Sequence, residues 1–163
     1  MTDILITWLE NIPPQIATVI IAMLPIAELR GSIPIALGVY NLSIIESFIY
    51  SIIGNIIPVV LILLFFDKIS KYLMAKFNFF NNFFEWLFKK TRARHTKKFD
   101  RWGTIVLITL VAIPLPLTGG YSGALAAYLF GIPFKKAFPL ILIGILIAGV
   151  IVTLLSTGIY KII

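Results

Sequence analysis

Phe48-Ile49-Tyr50-Ser51-Ile52-Ile53-Gly54-Asn55-Ile56-Ile57-Pro58-Val59-Val60-Leu61-Ile62-Leu63-Leu64-Phe65-Phe66 runs for nineteen residues without a charge. A helix that crosses ~30 Å of hydrocarbon needs about 20 apolar residues. This stretch meets that requirement, and so does Ala137–Tyr160, which is also uncharged. Both are rich in Ile, Leu and Val, and both read as full transmembrane helices. The composition agrees. Of the 163 residues, 60% are hydrophobic and 13% charged, with a mean hydropathy of +1.01. A soluble domain is about half apolar and a quarter charged. Soluble enzymes and disordered chains are set aside, and a small polytopic membrane protein of one domain is left.

Two more apolar regions flank these spans, and each is interrupted. Ile16–Ala27 is followed by Glu28, Arg30, Gly31 and Pro34, and then by apolar Ile35–Tyr40. Thr104–Ile113 is followed by Pro114, Pro116, Gly119, Gly120 and Gly123, and then by apolar Ala124–Phe134. Arms of ten to twelve residues reach only ~15–18 Å as helix. Each region therefore reads as a re-entrant hairpin: a half-helix in, an irregular tip, a half-helix out. Irregular backbone at membrane depth survives only inside protein or beside a water-filled cavity.

The order hairpin, short turn, long helix occurs twice. The first repeat spans 12–66 and the second 103–160, with a basic linker, 67–102, between them. Aligned by residue, Pro25 meets Pro114, Gly31 meets Gly120 and Gly54 meets Gly144. Charge gives the orientation. Ten of the fourteen Lys and Arg lie between Lys68 and Arg101. Such residues favour cytoplasmic loops, so this segment is expected inside and both termini outside. The two halves then have opposite orientations, an inverted repeat of the kind found in secondary transporters, whose sites lie where broken helices meet. Within the linker, Ile69, Tyr72, Leu73, Phe80, Phe84, Leu87 and Phe88 recur at helical spacing. That predicts an amphipathic helix over Ile69–Phe88 lying among anionic headgroups. The positive-inside role accounts for the net charge of +7 without nucleic acid.

The fold class expected is thus an all-α integral membrane protein, multi-pass in the cytoplasmic membrane, with an interfacial helix between its repeats. Asp3 and Glu10 make the start acidic, whereas a signal peptide needs a basic one. There is no cysteine and one histidine, His95, read as a solvated loop residue. No cofactor or metal site is expected. No Ser-His-Asp set or phosphate-binding Gly-Lys loop occurs, so no enzyme is expected.

Chemistry concentrates at the tips. Glu28 and Arg30 are the only charges between Glu10 and Glu46. Ionisable residues at membrane depth mark a substrate path, a proton relay or a counter-ion. Arg30 stays charged, whereas Glu28 can titrate. Two residues apart, they lie on nearly opposite sides of a helix, but on the same side of an extended tip. In Gly31-Ser32-Ile33-Pro34, Ser32 or Ile33 is expected to precede the returning half-helix. In Thr118-Gly119-Gly120-Tyr121-Ser122-Gly123, Ser122 is the expected cap. Two helix N-termini would then face the membrane centre and attract an anion. The candidate substrate- or ion-binding set is Glu28, Arg30, Gly31, Ser32, Pro34, Pro114, Pro116, Thr118, Gly119, Gly120, Ser122 and Gly123. Asn55 and Pro58 read as residues that polarise or kink the first span, or as a helix–helix contact.

Two stretches carry a family resemblance. Glu28-Leu29-Arg30-Gly31-Ser32-Ile33-Pro34 resembles one hallmark of the small multidrug export proteins. Val111-Ala112-Ile113-Pro114-Leu115-Pro116-Leu117-Thr118-Gly119-Gly120-Tyr121-Ser122-Gly123-Ala124-Leu125-Ala126-Ala127 resembles the other. The family is similar, more distantly, to the DedA and VTT membrane proteins, which share paired re-entrant hairpins. The family resemblance implies a transporter, and the DedA and VTT likeness implies lipid movement or proton-coupled transport; Arg30 and the tip helix ends favour an anionic or amphiphilic solute, with protons as a coupling partner through Glu28. The alternatives are translocation of a lipid with a phosphate headgroup, and a non-transporting membrane scaffold. Partners are then lipids along 68–101, the solute or lipid itself, and a second copy of the chain.

Overall fold

The computed structural model describes residues 12–77, 97–115 and 118–160. Every element among them is helical. They are α1 Pro14–Ala22, α2 Glu28–Gly38, α3 Ile44–Lys76, α4 Lys97–Ala112, α5 Gly120–Leu129 and α6 Phe134–Tyr160. The two expected spans are present: α3 and α6 are long and apolar enough to cross a bilayer. Their surfaces suit lipid. Ile45, Ile49, Ile53 and Leu61 on α3 are exposed, as are Ile143, Leu146, Val150 and Leu154 on α6. Apolar faces of this extent would associate or aggregate in water.

The chain divides into two compact units. The first holds α1, α2, α3 as far as Ile57 and α6 from Leu146. The second holds α3 from Pro58, α4, α5 and α6 as far as Ile145.

In the first unit α1 packs on α2. Ala17 and Ile21 are buried there, covered by Ile12, Ala27, Ile35 and Tyr40. The nine residues of α1 and eleven of α2 make helices only ~14 and ~17 Å long, too short to cross hydrocarbon. Gly54 lets α3 press against α1: a Cβ there would stand 2.4 Å from the Val19 carbonyl oxygen and 2.7 Å from the Ala22 Cβ. On the other side, Gly149 of α6 receives the Phe48 ring and Ile52.

The second unit repeats this device. Its hairpin is α4 packed on α5, and buried Val111 of α4 sits between two glycines. A Cβ on Gly123 would lie 2.4 Å from Val111 Cγ2, and one on Gly144 would lie 2.6 Å from Val111 Cβ. Each long helix therefore takes the first arm of the preceding hairpin against a glycine, Gly54 in one unit and Gly144 in the other. These are the two glycines that the sequence alignment pairs.

Several boundaries differ from expectation. The first hairpin breaks at 23–27, around Pro25, and α2 already begins at Glu28. Glu28, Arg30, Gly31 and Ser32 thus lie in a helix, and neither Ser32 nor Ile33 precedes it; the N-cap is Ala27. Pro25 disfavours helix at Leu24 and explains the break. Pro34 lies inside α2, where it cannot donate an N–H to the Arg30 carbonyl. Ile69–Lys76 continues α3 without interruption. An Asp67–Lys71 pair, at 2.7 Å, links successive turns, so no separate interfacial helix starts at Ile69. The rest of that expected helix, 78–88, lies outside the described residues, as do the N-terminus, His95 and Pro116.

Candidate functional site

Glu28 opens α2 with φ +45°, in the left-handed region that costs a residue with a Cβ about 1–3 kcal/mol. The strain has a geometric result. In a regular helix residues i and i+2 face apart, yet Arg30 Nη2 donates to Glu28 Oε2 at 3.3 Å. The Glu28 side chain is 6% exposed and that of Arg30 24%. A buried carboxylate with its arginine is thereby held beside the turn of a short hairpin. Gly31 permits the tight approach, since a Cβ there would meet the Ala27 Cβ at 2.9 Å.

One turn further on, Ser32 Oγ donates to Ser51 Oγ at 2.7 Å, joining α2 to α3. Ser51 belongs to a row at four-residue spacing: Ser43, Ser47, Ser51 and Asn55. The last three are wholly buried. One reading of Asn55 in the sequence is a helix–helix hydrogen bond. The structure differs, because neither Asn55 Oδ1 nor Nδ2 has a protein partner, and Ser47 Oγ and Tyr40 Oη have none either. Left unmet, each such group costs about 1–3 kcal/mol. The four-residue period of Ser43, Ser47, Ser51 and Asn55 is visible in the sequence and was the signal that could have found this row.

In the second unit the turn between α4 and α5 is tied by Thr118. Its hydroxyl lies 2.6 Å from the Ile113 carbonyl and 2.8 Å from that of Leu115, and accepts from the Leu115 N–H at 3.1 Å. Pro114 lies within this knot. The cap of α5 is Gly119, at φ 133° and ψ −161°, a conformation open to glycine. Ser122 is therefore not the cap; it sits in the first turn and donates back to the Gly119 carbonyl at 3.1 Å. Gly120 and Gly123 are buried in α5. Missed from sequence was a buried contact between Ser70 of α3 and Tyr128 of α5, whose hydroxyls lie 2.5 Å apart. The Phe66 ring meets Tyr128 edge-on. Among the described residues no cluster of His, Cys, Asp or Glu could hold a metal.

Lipid-suited long helices, a first hairpin with arms too short to span and a buried ion pair define a membrane protein; the first arm of the second hairpin, α4, is longer, 16 residues from Lys97, and so begins within the expected linker 67–102. The family model "Putative small multi-drug export protein" matches residues 28–151, from the second arm of the first hairpin through the second hairpin and into α6. The chain belongs to that family. The match carries no DedA or VTT likeness. No curated protein and no solved structure matches the chain.

Proposed function

We propose that this chain is a small secondary transporter of the cytoplasmic membrane, taking an anionic or amphiphilic solute and coupled to protons through Glu28. The observation that carries it is the buried Glu28–Arg30 pair at 3.3 Å, held by strained backbone in a hairpin too short to span. A charge at that depth is costly and usually functional. The planar Arg30 guanidinium serves as the anchor for an anion. Glu28 takes up a proton when an arriving anion competes for the arginine. Ser32 and Pro34 follow on the same helix, within the next two turns of α2. Within the second unit, the Thr118 N–H is taken by the Leu115 carbonyl at 3.1 Å, while Gly119, Gly120 and Ser122 form the N-terminal end of α5, where negative charge is favoured. The hairpins are read as re-entrant and the repeats as inverted. Support comes from the short arms of the first hairpin, the recurrence of hairpin and long helix, and the glycines Gly54 and Gly144 at equivalent points.

Proteoliposome flux tests the reading. Wild type carries anionic amphiphiles in preference to their cationic analogues, and Arg30→Ala loses that flux while remaining folded. Preference for the cationic probe, or undiminished flux in Arg30→Ala, contradicts it. Lipid scrambling without solute flux would move the assignment to a lipid translocase.

A further inference from the structure

The connection between α2 and α3 is five residues, 39–43, and a link this short makes neighbouring helices antiparallel. The Ser32–Ser51 bond then fixes the register. Moving one turn away from the connection on both helices brings Glu28 level with Asn55. Moving one turn toward it brings Ala36 level with Ser47, and a further turn reaches Tyr40 and Ser43. The two wholly buried polar side chains without a protein partner, Ser47 and Asn55, therefore stand one turn either side of Ser51 along one seam; the Tyr40 hydroxyl, also unpartnered, belongs to a half-buried ring in the connection that packs on Ala17 and Ile21. No unpartnered buried side chain among the described residues lies elsewhere. The seam begins at exposed Ser43 and reaches Asn55 after twelve residues, roughly 18 Å along the helix axis.

We infer that this α2–α3 seam is a hydrated proton access path, in which water bonded to Ser47 and Asn55 links the Ser43 end of α3 to Glu28. It rests on the reading of Glu28 as the coupling carboxylate. Buried polar groups that meet no protein partner take ordered water. The middle rung decides between water and solute. Hydroxyls 2.7 Å apart at Ser32 and Ser51 leave no passage for a solute, but each can accept one hydrogen bond and donate another. A proton from bulk water enters beside Ser43. It passes by exchange along water and hydroxyls, each releasing one proton as it takes another, and converts the Glu28 carboxylate to the acid. No other reactant is needed. The charged and titratable groups facing this route are few. On the elements packed here they are Arg30 on α2, Tyr40 in the connection, and Glu46 and Tyr50 on α3; α1 and the part of α6 packed on α3, Leu146–Gly158, contribute none.

Magic-angle-spinning NMR of the full chain in bilayers tests hydration, with water itself as the probe. Magnetisation transferred from water should reach the Asn55 side-chain amide, assigned by its loss in Asn55→Leu, and Ser47 nearly as fast as exposed Ser43. Build-up as slow as at lipid-facing Ile53 overturns the inference, whatever the chain transports. Infrared detection of the Glu28 carboxyl after a pH jump tests delivery. The double variant Ser47→Ala/Asn55→Leu should protonate roughly tenfold more slowly or worse, because the hydrogen-bonded chain is broken. Ser47→Thr and Asn55→Gln should retain the wild-type rate. An unchanged rate in the double variant overturns the path. A hydrated seam beside a Glu28 that never protonates overturns the coupling reading and delivery together, whereas a dry seam overturns the inference alone.

Discussion

Replacing Gly54 by alanine tests the packing that seats the first hairpin. The new Cβ would stand 2.4 Å from the Val19 carbonyl oxygen, where ordinary C···O contact begins near about 3.3 Å. The obstacle is helix backbone and cannot rotate away. Accommodation therefore requires α1 to retreat from α3 by roughly 0.9 Å. Overpacking of this kind costs about 1–3 kcal/mol, and a backbone obstacle belongs at the upper end. Alanine returns about 1 kcal/mol of helix propensity over glycine. The expected net loss is about 2 kcal/mol, roughly thirtyfold in the unfolding equilibrium. Gly158 on α6 is the control, because nothing lies within 4 Å of its added Cβ. There alanine should be neutral or stabilise by up to about 1 kcal/mol. Reversible unfolding by steric trapping in bicelles measures both. A Gly54→Ala protein as stable as wild type would falsify the close α1–α3 crossing.

Tyr128→Phe should lower stability by about 1 kcal/mol in the same assay, since Ser70 loses its hydroxyl partner while the ring contact with Phe66 remains; an unchanged midpoint would refute the bond. Ser43 and Glu46 cap α3 reciprocally, outside the Phe48–Phe66 span. The Ser43 hydroxyl first, and its backbone N–H second, hold the Glu46 carboxyl below its ordinary range. A lowered folded value means that the cap contributes fully above the ordinary carboxylate pKa and is lost as pH falls through the lowered one. Amide protection at Glu46 and Ser47 should decline over that acid interval, and Glu46→Gln should remove the pH dependence of that decline.

The long spans were legible because the nineteen residues from Phe48 carry no charge, a pattern that hydrocarbon thickness enforces. Their ends were less so. Asp67, Lys68 and Lys71 signal the end of the apolar run but not of the helix, and the i,i+4 pair of Asp67 with Lys71 was the cue that α3 continues. The first tip was misplaced for a related reason. Gly31 and Pro34 read as breakers, yet glycine there serves close packing on Ala27 and proline is tolerated within α2; Pro25 makes the break. Glu28 and Arg30 were found because charges are rare in such a sequence. Their pairing was not derivable, since it depends on a left-handed backbone at Glu28. The buried row Ser47, Ser51 and Asn55 was present as a period of four, hidden by the aliphatic residues between.

Substrate affinity against pH, compared in wild type and Glu28→Gln at equilibrium in liposomes, reaches the proposed mechanism most directly. If an anion at Arg30 loosens the ion pair and raises the pKa of Glu28, binding takes up a proton, and by reciprocal linkage protonation strengthens binding. Wild-type affinity for an anionic solute should then rise as pH falls through the Glu28 titration, and Glu28→Gln should bind with an affinity independent of pH over the same interval. The same pH dependence in both proteins would make Glu28 a structural partner of Arg30 and contradict proton coupling at this site.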